Sequence, residues 1–300
     1  MSEDFTIKYM HRIWLLYITL FFSKIGWAQN PFDIVLVDKA KNQLYLALYN
    51  DHKIEIQKQY HATLGKSLGD KVKENDLKTP EGVYFFTSSI KPPGIKKKFG
   101  ALALMLNYPN PIDQLDGKTG YDIMLHATDD PTRLKRNLDS EGCVVVDNHE
   151  VLEISKSVRL GLTPMIIYPS LQPEYLQVDS NKEIRQAFSN WLAAWQNQDL
   201  ESYISYYTQS FKFGGMNLKQ YQEYKRALNE RYEKILVETR NLRFFYHPKY
   251  DVVTFTQEYQ SWHPNKKQAF KSSGTKVLYF VKENSNYKIA NESFSQLKED

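Results

Sequence analysis

From residue 33 onward the chain alternates short β-branched and aromatic runs with polar turns, a period-two pattern that commits its first half to sheet. The runs cover residues 34–37, 43–49, 54–62 and 82–88, and Lys39-Ala40-Lys41-Asn42 and Tyr49-Asn50-Asp51-His52 have the turn chemistry to join them as hairpins. Residues 65–82 are too punctuated by Gly and Pro for a helix and read as an ordered surface loop. A helical spacing of Val151, Leu152, Ile154 and Val158 predicts a helix over 148–160, and residues 163–168 return to strand. The first unit closes near Pro169, and the polar stretch 170–180, with Pro173, reads as a connector.

The second half opens differently. Ile184, Phe188, Trp191, Leu192 and Trp195 recur at three- and four-residue spacing, which predicts an amphipathic helix. Helical patterns continue over 199–207 and 218–232, and strands follow at 235–245, 252–262, 268–281 and 287–294. Helices first and a strand meander afterwards indicate an α+β unit. Three hundred residues, 42% of them hydrophobic, suffice for two cores. A net charge of +4 with interspersed signs lacks the basic stripe that nucleic acids require, so DNA and RNA are excluded as partners.

The apolar run 13–22 follows His11-Arg12 and precedes Gly26-Trp27-Ala28, which predicts a signal segment over residues 1–28 cleaved after Ala28. The run is shorter than the roughly twenty residues of a bilayer-spanning helix. Retained, it would give transient membrane association. Either way the body of the protein is expected to act outside the cytoplasm, in the periplasm.

One cysteine, Cys143, stands in Ser140-Glu141-Gly142-Cys143-Val144-Val145-Val146, seventeen positions after His126. A lone thiol in an exported chain is an inert core residue, an intermolecular bridge or a nucleophile. A catalytic thiol needs a base and dipoles for an oxyanion. His126 ends the apolar run Ile123-Met124-Leu125, Gly142 permits a tight turn before Cys143, and the Ala127 carbonyl can accept the imidazole Nδ1 proton. The alternative is a structural cysteine beside the valine run, with His126 in the core. His61, His149, His247 and His263 show no ligand-like spacing, so neither metal nor other cofactor is expected. The basic run 91–98 reads as a solvated loop, or else as a wall of the groove that draws carboxylates by charge.

Leu125-His126-Ala127-Thr128 and Ser140-Glu141-Gly142-Cys143-Val144 resemble the histidine and Ser/Thr-x-Gly-Cys motifs of the L,D-transpeptidase (YkuD-like) family. Gly65-Lys66-Ser67 and Thr79-Pro80-Glu81-Gly82 are similar to that family's upstream Gly-Lys and Thr-Pro-x-Gly region. The resemblance implies a mainly β, sandwich-like catalytic domain over 32–170 acting on peptidoglycan stem peptides. Cys143 would be the nucleophile, His126 the base and Ala127 its orienter, with Ser140, Glu141, Gly142, Lys66, Lys71 and Thr79 toward the substrate. Two departures stand out: Glu141 replaces the histidine common before Gly-Cys, and Val145 stands where many members carry arginine. The second removes a cation from near the site, and both departures lean toward trimming over cross-linking.

Residues 180–300 resemble a nuclear transport factor 2-like domain, a cone of curved sheet and helices around a pocket. Trp191, Trp195 and the tyrosines are expected to serve as its core. The two domains in this order are similar to the cell-shape L,D-carboxypeptidases of helical Gram-negative bacteria, which trim D-alanine from stem tetrapeptides. Those relatives carry an N-terminal dimerisation segment, whereas only the signal segment precedes Asp33 here, which leaves the oligomeric state open. A cross-linking transpeptidase and a non-catalytic wall-binding protein remain the alternatives.

Overall fold

The computed structural model describes residues 32–50, 53–265 and 269–296. The expected signal segment, residues 1–28, lies outside the described residues. Among those described, no helix is long and apolar enough to cross a membrane.

The first half forms strands β1 (Phe32–Asp38), β2 (Gln43–Tyr49), β3 (Ile54–His61), β4 (Leu64–Gly65), β5 (Gly82–Ile90), β6 (Ala103–Leu106), β7 (Met124–His126), β8 (Leu138–Ser140), β9 (Val144–Val145) and β10 (Pro164–Tyr168). Helices α1 (Pro111–Leu115) and α2 (Asn148–Ser155) interrupt them. Eight strands make one sheet in the order β3-β2-β1-β10-β5-β6-β7-β9, and β4 pairs with β8 beside it. Both β1–β10 and β7–β9 are parallel. Helix α2 starts at Asn148, as expected, behind a reciprocal capping box between Asp147 and Glu150, but ends at Ser155, short of Leu160.

The period-two rule shows directly in the core. Val35, Val37, Tyr84, Phe86, Met165 and Ile167 face one cluster, which includes Leu125, Val144 and Val151. Their alternates Ile34, Leu36, Val83, Phe85, Ile166 and Tyr168 face the other side, where they meet Phe245, Tyr250, Val252 and Tyr279 of the second half. A sheet covered on both faces explains why β1 and β10 read as continuous apolar runs.

The second half comprises α3 (Lys182–Gln196), α4 (Leu200–Ser205), β11 (Tyr207–Phe213), β12 (Met216–Asn217), α5 (Leu218–Arg231), β13 (Lys234–Phe245), β14 (Asp251–Trp262), β15 (Phe270–Glu283) and β16 (Asn286–Gln296). Its sheet order is β12-β11-β16-β15-β14-β13, with β11 parallel to β16. Strand β11 begins where the sequence pattern suggests only a helix end. Its pairing with β16, some eighty residues later in the chain, is a tertiary contact that no local pattern carries.

The interior of this second domain is filled by its own side chains. Trp191, Tyr203, Tyr207 and Tyr221 are buried together with Lys276 and Glu292. Glu292 accepts from the Tyr207 and Tyr221 hydroxyls, both at 2.9 Å, and pairs with Lys276 at 2.6 Å. A hollow of about 10 Å³ remains beside Trp195, Tyr203 and Lys225. The two domains are joined by buried polar bonds as well as apolar contact. Tyr168 donates to the Tyr246 carbonyl at 2.8 Å, Tyr49 accepts from the Phe244 amide at 3.0 Å, and Tyr250 accepts from the Val83 amide at 2.9 Å.

Candidate active site

Parallel pairing of β7 with β9 sets Leu125 opposite Val144 and His126 opposite Val145. The same register puts Cys143, one residue before β9, level with Met124. His126 and Cys143 thereby open into one cavity of about 710 Å³ on the first domain. The loop between the two residues folds back through Arg133, whose guanidinium binds the Asp139 carboxylate (3.1 Å) and its carbonyl (3.1 Å).

His126 is 3% exposed. Its Nδ1 lies 2.5 Å from the Ala127 carbonyl, and Phe99 packs edge-on against the ring with centroids 4.8 Å apart. A carbonyl only accepts, so Nδ1 carries the proton and Nε2 keeps its lone pair. Burial, with Arg133 and Lys98 nearby, pulls the imidazole down to about 4, against the opposing pull of the Ala127 carbonyl. Cys143 is half-buried. Burial raises its thiol to about 11, the Asp122 and Glu141 carboxylates add to this, and the Met124 amide and Lys98 act the other way. At neutral pH the resting pair is therefore a neutral thiol and a neutral imidazole. The thiol's hydrogen bond goes to the Asp122 carbonyl at 3.5 Å.

The turn that presents the thiol is built from its own residues. Ser140 donates to the Cys143 carbonyl at 2.6 Å and accepts from the Gly142 amide at 3.1 Å. Gly142 sits at φ 130°, and a Cβ there would stand 2.8 Å from the Lys78 carbonyl. No other residue fits this position without moving that backbone.

Of the substrate-side residues expected from sequence, Lys66, Lys71, Ser140 and Glu141 line the cavity, and Gly142 lies buried in the turn behind it. Lys71 is 3% exposed and holds Asp76 at 2.9 Å, so its ammonium is engaged within its own loop. Thr79 is not on the cavity wall. Its buried hydroxyl accepts from the Gly65 amide at 2.9 Å and ties the ends of the loop.

Val145 is fully buried, bridged to Thr63, but Arg133, Lys66, Lys96 and Lys98 stand on the cavity wall. The basic run is thus part of the groove, with Gly94, Ile95 and Phe99 beside its lysines. Phe99, Arg133 and Tyr121 were not marked by any sequence motif. Among the described residues, no group of three or more His, Cys, Asp or Glu could hold a metal.

Glu141 offers a direct test of the local field. Replacing it with glutamine removes a negative charge that opposes thiolate formation. Alkylation of Cys143 by iodoacetamide at pH 8 should accelerate about two- to fivefold, as expected for a shift of a few tenths of a pH unit. An unchanged rate would show that the carboxylate is screened from the sulfur.

Residues 33–167 match the L,D-transpeptidase catalytic domain, and residues 183–293 match the Cds6 C-terminal NTF2-like domain. The structure of Bd1075 from Bdellovibrio bacteriovorus is similar over nearly the whole chain. Identity is 31%, the match covers 89% of this chain and 94% of that one, and the TM-score is 0.74. The chain belongs to the L,D-transpeptidase family. This L,D-transpeptidase family member also shares its fold with the helical cell shape determining protein Pgp2 from Campylobacter jejuni. There the identity is 24%, the coverage 89% of this chain and 93% of that one, and the TM-score 0.69. No curated protein sequence matches the chain.

Proposed function

We propose that this L,D-transpeptidase family member is a periplasmic peptidoglycan L,D-carboxypeptidase that removes the terminal D-alanine from stem tetrapeptides. The observation that carries the reading is the convergence of His126 and Cys143 on one cavity, with the imidazole Nδ1 held by Ala127. Domains spanning 32–170 and 180–300, and a signal over 1–28, belong to the same reading. Its fold shared with a protein named for determining helical cell shape supports a role in cell shape.

In this reading Cys143 passes its proton to His126 Nε2 as the sulfur attacks the carbonyl joining diaminopimelate to D-alanine. The imidazolium, held in orientation by Ala127, then gives that proton to the departing amine, and the C–N bond breaks to leave a thioester and free D-alanine. Water, deprotonated by His126, attacks the thioester; the C–S bond breaks, and the thiol is restored with a tripeptide released. In the resting pair Nε2 begins unprotonated and is free to take the thiol proton. Lysines 66, 96 and 98 provide positive charge for the carboxylates of the stem peptide.

Incubating the purified protein with disaccharide tetrapeptides and weighing the products tests the proposal. A loss of one alanine per chain with free D-alanine is expected. Cross-linked dimers or exchange of added D-amino acids would instead make the chain a transpeptidase, and unchanged muropeptides would refute both.

A further inference from the structure

A side chain of the second domain reaches the loop that walls the candidate site. Lys249, in the turn before β14, sends its Nζ to Asp70 (2.6 Å) and Glu81 (3.2 Å) of the first domain. Asp70 also binds Lys118 at 2.7 Å and accepts from the Glu81 amide at 2.7 Å. Lys39 completes the node, donating to Glu81 (2.9 Å) and to the carbonyls of Gly69 (2.6 Å) and Thr79 (2.7 Å). These contacts fix both ends of the loop 66–82.

That loop forms one wall of the cavity through Lys66, Lys71, Glu74 and Asn75. It also backs the nucleophile turn: the Lys66 amide donates to the Ser140 carbonyl at 2.9 Å, and the Lys78 carbonyl occupies the space a Cβ on Gly142 would need. Direct contacts therefore run from Lys249 through Asp70 and Glu81 into the loop, and from the loop to Ser140 and Gly142, of which Ser140 in turn holds the Cys143 carbonyl. We propose that Lys249 is a positioning residue, through which the C-terminal domain holds the 66–82 loop, and with it the Cys143 turn, in the geometry the reaction uses.

The alternative is that Lys249 only fastens two domains. Its side chain is 35% exposed, while the seam is closed elsewhere by Tyr168, Tyr49 and Tyr250. Lys249→Met should therefore leave the protein folded. The inference rests on the proposed carboxypeptidase reading for its turnover measurement alone, since thiol alkylation needs no substrate.

In the full chain, Lys249→Met is expected to lower kcat on tetrapeptide about tenfold while KM moves less than threefold, a modest share of what a misplacement of about 1 Å can cost. The rate of Cys143 alkylation should change at least twofold, and Lys249→Arg should restore both values. Asp70→Asn should give a similar loss, and combining it with Lys249→Met should add little, because both act through one contact. If wild-type protein leaves tetrapeptide intact but Lys249→Met still alters alkylation, the carboxypeptidase reading fails and the positioning role stands. A Lys249→Met protein with unchanged kcat and unchanged alkylation, whatever its melting temperature, overturns the proposal.

Discussion

Cys143→Ala is expected to abolish tetrapeptide hydrolysis, with kcat lower by about 10⁴-fold or more, since members of a nucleophile–base unit are not additive and losing one removes the covalent route entirely. Product mass after overnight incubation checks it; any residual release of D-alanine within tenfold of wild type sinks the assignment. His126→Gln keeps a side chain of similar size but no base, and should cost nearly as much. The pH dependence separates the two roles. With His126 at about 4, wild-type kcat/KM should rise through that pH as the imidazole loses its proton, then stay level through neutrality. The glutamine variant has no base to take the proton, so its small residual rate should climb about tenfold per pH unit toward the thiol's value of about 11. A variant profile as flat as wild type would show that another group serves as base.

Lys276→Met is expected to destabilise the protein by about 3–5 kcal/mol, because it strands Glu292 in a sealed interior. Burial alone pushes Glu292 up, and Lys276 at 2.6 Å, Lys225 and the Tyr207 hydroxyl override it, holding the carboxyl below its usual value. Removing the ammonium leaves two tyrosine hydroxyls and Lys225, which makes no direct ion pair with it, to offset the charge, which is too little. For a chain of this size the midpoint of thermal unfolding should fall by about 10 °C. Lys276→Met with Glu292→Leu should recover most of that loss, since a buried ion pair replaced whole by apolar groups is often neutral. A single-variant shift below about 2 °C would mean that water reaches Glu292.

Much of this architecture is legible in the sequence, for reasons that differ by element. Strands β1, β2 and β5 announce themselves as short β-branched and aromatic runs bounded by polar turns, and α3 through the spacing of Phe188, Trp191 and Trp195, because both signals are local. Strand β11 escapes notice, since its pairing with β16 depends on a partner far along the chain. The candidate site divides likewise. His126 and Cys143 carry a motif, as does the tight glycine between Glu141 and Cys143. Phe99 and Arg133 reach the cavity by loop folding that no spacing encodes, and Thr79, though part of a motif, holds loop backbone away from the cavity wall.

The hydrogen bond from Cys143 to the Asp122 carbonyl bears on how the enzyme lasts. Peroxides and other oxidants react with sulfur as thiolate, and burial that raises the Cys143 thiol keeps that form scarce at pH 7. A capped, neutral sulfur would thus pass slowly to sulfenic acid, keeping the protein serviceable between encounters with substrate in surroundings that hold no resolving cysteine on the same chain.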